Sequence, residues 1–274
     1  MRWDPNHQSS DVEDRRGGGG GGRIKIGLGG AVILLVLSLI FKRNMFAELG
    51  PHVSGDRGRT PSAAEDQLAK FAGFVFDDAQ AYWQEEIRRQ GQPYRKTTLV
   101  LFTDETSTGC GPADSAVGPF YCPGDEKVYI DLGFYQELKS RFGAPGDFAQ
   151  AYVIAHEVGH HIQDVLGIEG RVRAMQRQDP SQKNALSVKM ELQADCFAGM
   201  WAHSTQRRDL LETGDIEEGL NAAAAVGDDR IQRAATGRIQ PEKWTHGSAK
   251  DRAAWFRRGF SSGKLSECDT FGSR

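Results

Sequence analysis

Apolar residues recur every three or four positions through AYVIAHEVGHHIQDVL, with Phe148, Ala151, Ile154, Ala155, Val158, Ile162 and Val165 on one stripe, so the run predicts a helix. Gly143, Pro145 and Gly146 punctuate the chain before it, Asp147 is the expected N-cap, and Gly167 is the expected stop. MELQADCFAGMW predicts a second, largely apolar helix. Residues 62–90 read as one long or two short helices ending at Gly91. TTLVLF (97–102) and KVYID (127–131) read as strands. A helix capped by Asp215, with Glu218 three residues on, takes in Ala222–Ala225. Ser248 and Asp251 resemble a capping box that opens a closing helix over 249–260. The order is helix, strand, strand, then helices, which gives an α+β, mostly helical domain with a small β-sheet.

The first 60 residues break this pattern. Residues 1–23 are polar, end in Gly17–Gly22, and read as a flexible tail. Residues 26–41 are sixteen uncharged, mostly apolar residues bracketed by Arg23 and Lys25 before and Lys42 and Arg43 after. Sixteen falls short of the roughly 20 expected of a span, but snorkelling basic side chains can extend it. No small-residue cleavage site follows, so a single transmembrane anchor over 24–43 is favoured over a cleaved signal peptide. Residues 44–61 form a linker, and 62–274 the soluble domain. Arg15, Arg16, Arg23 and Lys25 favour a cytoplasmic N-terminus and a domain outside the inner membrane, in the periplasm or at the cell surface.

The four cysteines agree with that placement. Cys110 and Cys122 bracket a Gly- and Pro-rich loop where a disulfide would restrain loose backbone, and Cys196 with Cys268 could form a second bridge in an oxidising compartment. No C-x-x-C pair is present, which disfavours a cysteine zinc site. The net charge of −3 and scattered arginines argue against a nucleic-acid partner.

The chemistry concentrates on the first helix. His156, Glu157 and His160 spell H-E-x-x-H. Positions i and i+4 share a helix face, so both imidazoles can reach one metal ion, while Glu157 is rotated toward a metal-activated water as general base. Glu191 and Asp195 are again four apart, on the second helix. Glu191 supplies a third ligand, and Asp195 is the residue type that accepts the outer N–H of a metal-binding histidine. These features predict one Zn²⁺ per chain with an open position for water. His246, in the turn before the last helix, is the leading candidate to hold an oxyanion opposite the metal, and Arg252 the next; Tyr121 and Tyr129 read rather as packing residues. His161 points about 100° away from His160 and reads as a hydrogen-bonded structural residue, and His203 as a helix-end one.

HEVGHHIQ, ELQADCFAGMW, CGPADSAVGPFYCPGDEKVYID, THGSAKDRAAWF and the opening MRWDPNHQSSDVEDRRGGGGGG together resemble the bacterial membrane-anchored neutral zinc metallopeptidases, over nearly the whole chain. The resemblance implies a zincin-like, gluzincin-type domain with His156, His160 and Glu191 as ligands, Glu157 as base and Asp195 behind them. In such enzymes an edge strand commonly receives the peptide backbone, here residues 120–122 or 127–131. The function expected is hydrolysis of extracytoplasmic peptides or proteins. The alternative is a membrane-anchored binding or assembly protein with a structural zinc.

Overall fold

Ser62 opens the first long helix, α1 (Ala63–Arg89): its hydroxyl accepts from Glu65 N while the Glu65 carboxylate accepts from Ser62 N, so both halves of a capping box are made. In the computed structural model, which describes residues 1–17 and 60–272, this is one unbroken helix. Phe71, Val75, Phe76, Ala79, Trp83 and Ile87 form its buried stripe. The anchor expected over 24–43 and nearly all of the linker lie outside the described residues. Among the described residues, no helix is long and apolar enough to cross a membrane.

The strands β1 (Val12–Asp14), β2 (Thr98–Phe102), β3 (Glu105–Thr108), β4 (Gly111–Asp114), β5 (Phe120–Cys122) and β6 (Lys127–Asp131) form two sheets. The larger has the order β1-β2-β6-β5; its first three strands are parallel, and β5 runs antiparallel to β6. Leu99, Leu101, Val128 and Ile130 face the helices, while Val100, Phe102, Cys122 and Tyr129 fill a smaller cluster on the other face, as the period of two requires. β3 and β4 make a separate hairpin, and Cys110 at its tip is bonded to Cys122 in β5.

The polar opening segment is not a free tail as far as residue 17. β1 pairs with β2 in the register Val12–Leu99, Glu13–Val100, Asp14–Leu101. Met1 is buried, and its ammonium group meets Asp147 at 2.7 Å, Glu212 at 3.2 Å and Asp215 at 3.4 Å. The tail reading failed because this segment is held mainly by ion pairs and backbone bonds to distant residues, which no local apolar period reports.

The remaining helices are α2 (Gly133–Ser140), α3 (Asp147–Val165), α4 (Ile168–Gln178), α5 (Lys183–Arg207), α6 (Asp215–Ala225), α7 (Asp228–Thr236) and α8 (Ala249–Ser262). Helix α3 is the central element, packed between α1, α5 and α6. Its cap is Gly146, at φ 120°, and α6 is capped by Gly214, at φ 100°. Asp147 and Asp215 are instead the first helical residues, turned toward the Met1 ammonium. Ser248 caps α8 as its sequence predicts, accepting from Asp251 N.

Helices α5 and α8 cross with their backbones in contact. A Cβ on Gly199 would lie 2.1 Å from Phe256 O, and one on Gly259 would lie 1.9 Å from Cys196 O. The disulfide between Cys196 and Cys268 ties α5 to the turn that follows α8. Gly159 lets α5 approach α3, since a Cβ there would sit 3.1 Å from Ala194 O. Alanine is the better helix former by about 1 kcal/mol, so Gly259→Ala sets propensity against packing. Overpacking costs about 1–3 kcal/mol, and we expect a lower melting temperature by calorimetry. An unchanged or raised value would show that the crossing is slack.

Candidate metal centre

Helix α3 presents His156, Glu157 and His160 at the bottom of a groove of about 560 Å³, and α5 brings Glu191 against them. One ligand atom from each of His156, His160 and Glu191 lies within 4.8 Å of the others. His156 Nε2 is 3.2 Å and His160 Nε2 is 3.5 Å from the Glu191 carboxylate. Two imidazole nitrogens and one carboxylate are a donor set that suits zinc.

The outer nitrogen of each imidazole is already held. His156 Nδ1 lies 2.9 Å from Asp195 Oδ1. His160 Nδ1 donates to Gln163 Oε1 at 2.8 Å, while the Gln163 amide nitrogen donates to Met190 O at 2.7 Å and to Gln193 Oε1 at 3.2 Å. Because both amide hydrogens are committed, the Gln163 oxygen must be the acceptor, and His160 carries its proton on Nδ1. Both Nε2 atoms therefore turn to the shared space, the arrangement that prepares histidines for a metal. A second cluster, Asp147, Asp215 and Glu218, also brings three carboxylates together, but the Met1 ammonium bonds to two of them.

Asp195 has no exposed surface and lies at the junction of three helices. Besides His156, it accepts from Arg252 Nε at 2.8 Å and Nη2 at 3.0 Å, and from the Tyr152 hydroxyl. Burial works against its charge, but Arg252 and His156 hold its carboxyl below the ordinary value. Burial likewise pushes His156 down, yet the charge and hydrogen bond of Asp195, with Glu191, raise it to about 9. Burial works against the Arg252 charge as well, and Asp195 keeps the guanidinium protonated.

His246 reaches the same groove from the turn between α7 and α8. Asp228, the first residue of α7, accepts from His246 N at 2.7 Å and Gly247 N at 3.0 Å, and its other oxygen lies 3.2 Å from His246 Nδ1. The turn and the ring are thus fixed by one carboxylate, with Nε2 left outward. Burial lowers the His246 pKa, but the Asp228 hydrogen bond and the Glu191 charge raise it above the ordinary value. Arg252 differs from its sequence reading: its Nε and Nη2 are engaged by Asp195, so its first task is to hold that carboxylate.

β5 forms another wall of the groove through Phe120 and Tyr121, and it is the outermost strand of its sheet. Residues 127–131 are excluded as a peptide-binding edge, because β6 is paired on both sides, with β2 and with β5. His161 is structural: Nε2 donates to Arg95 O at 2.7 Å, and Nδ1 faces the Tyr121 hydroxyl at 3.1 Å. His203 Nδ1 donates to Phe260 O, and the Tyr129 hydroxyl to Asp125. Tyr152, Gln163 and Asp228 are site residues that the motif reading missed. Tyr152 and Gln163 were within reach, four before His156 and three after His160 on one helix face. Asp228 carries no such signal.

In the metal-free chain the folded His156 holds its proton up to about pH 9, against an ordinary 6.5. The stabilisation this gives is complete below about pH 6.5 and is lost as pH rises through about 9. A metal at Nε2 must displace that proton. We expect the dissociation constant for zinc, measured against a competing chelator, to weaken about tenfold per pH unit on descending below about 9. Affinity that is flat from pH 9 to 7 would contradict this account.

The family described as "putative neutral zinc metallopeptidase" matches residues 1–271. The chain is 46% identical to a protein of Escherichia coli K12 called uncharacterized protein YpfJ, over 99% of both chains. It is 48% identical to uncharacterized protein Rv2575 of Mycobacterium tuberculosis H37Rv, over 65% of this chain and 63% of that one. No solved structure matches it. The match spans the opening segment, the groove and both site-bearing helices, and the chain belongs to this zinc metallopeptidase family.

Proposed function

We propose that the groove binds an extended peptide beside β5 and hydrolyses a bond lying over His156, Glu157 and His160. The observation that carries this reading is the position of Glu157. It is a carboxylate that lines the groove between the two histidines and has no hydrogen-bond partner among the described residues. A zinc that only held the fold together would need no such group.

His156, His160 and Glu191 would hold the metal, with Asp195 and Gln163 fixing the two rings. When bound, zinc supplies Lewis acidity, acidifying a water and polarising the scissile carbonyl. Glu157 removes a proton from the attacking water and delivers it to the leaving amine. His246, held through Nδ1, directs its Nε2 proton at the oxyanion that develops as the carbonyl is attacked. The free edge of β5 offers backbone donors and acceptors that fix an extended substrate without regard to most of its side chains. The two disulfides are bonds of an oxidising compartment, which supports a substrate outside the cytoplasm.

The test is cleavage of a diverse peptide library by the zinc-loaded full chain, read by mass spectrometry. Glu157→Gln should abolish detectable cuts, lowering kcat by about 10²–10⁴ as expected for loss of a general base. His246→Ala should lower kcat by about 10²–10³ with little change in KM, the behaviour of a group that acts in the transition state. Cuts that persist in Glu157→Gln, or after complete zinc removal, would refute the proposal.

A further inference from the structure

The opening segment and the domain that begins at residue 60 are one folded body. Besides the pairing of β1 with β2, Trp3 packs edge-on against Phe71 at 5.4 Å, and His7 and Ser9 each reach Asp77 at 2.7 Å. Lys96 and Gln80 both bond to Asp11, and Lys127 bonds to Glu13. Arg16 donates to Glu65 O at 2.8 Å, next to the start of α1. The segment is therefore held against the domain from Met1 to Arg16, and residues 18–59 connect it to the residues that follow.

This geometry conflicts with a single membrane crossing within residues 18–59. One crossing puts residues 1–17 and 60–272 on opposite faces of a bilayer about 30 Å thick in its hydrocarbon core. A strand cannot hydrogen-bond to its neighbour through that layer. Two crossings would restore both parts to one face, but they need about 40 predominantly apolar residues. The uncharged run within 18–59 is sixteen residues, 26–41, with basic residues at both ends.

We infer that residues 1–17 and 60–272 occupy the same side of the membrane, so that the folded protein is not a single-pass protein with a cytoplasmic tail. The bridges Cys110–Cys122 and Cys196–Cys268 place that common side outside the cytoplasm. The first 17 residues are then part of the metallopeptidase domain. They complete its sheet, and the Met1 ammonium bonds to Asp147 at the start of the helix that carries His156 and His160.

Both bridges together use all four cysteines of the chain, so an added cysteine is a unique thiol. The test is labelling of Gln8→Cys and, separately, Gln206→Cys in the full chain with a membrane-impermeant maleimide. Both positions are exposed and outside the groove. Intact cells are compared with cells lysed in denaturant, which exposes every thiol and checks that each variant is made. Labelling of both variants in intact cells is expected and supports both parts of the inference. Protection of both until lysis supports the shared side and overturns its placement outside the cytoplasm. Labelling of Gln206→Cys with protection of Gln8→Cys, or the reverse, would overturn the inference and restore the single crossing.

Discussion

A buried carboxylate governs this structure. Asp195 on α5 is sealed from solvent, where an isolated charge would cost several kcal/mol. It is balanced by His156 from α3 and Arg252 from α8, and the Tyr152 hydroxyl takes up remaining acceptor capacity. Three helices therefore meet at one charge, and none can shift without stranding it. The glycine contacts at 199 and 259 let α8 come close enough for Arg252 to arrive. The arrangement that neutralises Asp195 also orients His156, so the stability of the helical core and the readiness of the metal centre rest on the same bonds.

The sheet does the complementary work. Its central strands are buried on both faces, while β5 is left free at one end along the wall of the groove. The disulfide from Cys122 to the β3–β4 hairpin braces that short strand, which otherwise has a single neighbour. At the opposite end, β1 lies beside β2 and forms the sheet's other edge, so among the described residues β5 is the edge strand that lines the groove.

The α3 helix was legible because its apolar stripe and its two histidines obey the same 3.6-residue period. Glu191 and Asp195 were legible for the same reason on α5. The Ser248 cap and the reach of α1 likewise follow from local backbone chemistry. Asp147 and Asp215 show where such rules stop. Each sits where a cap belongs, yet each is drawn to a distant ammonium while a glycine with positive φ takes the cap position.

The sequence by itself determined the residue types and their local geometry: the donor set, the helices that carry it, and the cysteines available for pairing. Helical spacing is a short-range property, so a reading of the chain captures it. The tertiary structure alone decided that Arg252 serves Asp195, that Asp228 fixes His246, that β5 and not β6 borders the groove unpaired, and that the first 17 residues belong to the domain. Each of these joins residues far apart in the chain through charge or backbone pairing, and neither leaves a periodic mark on the local sequence.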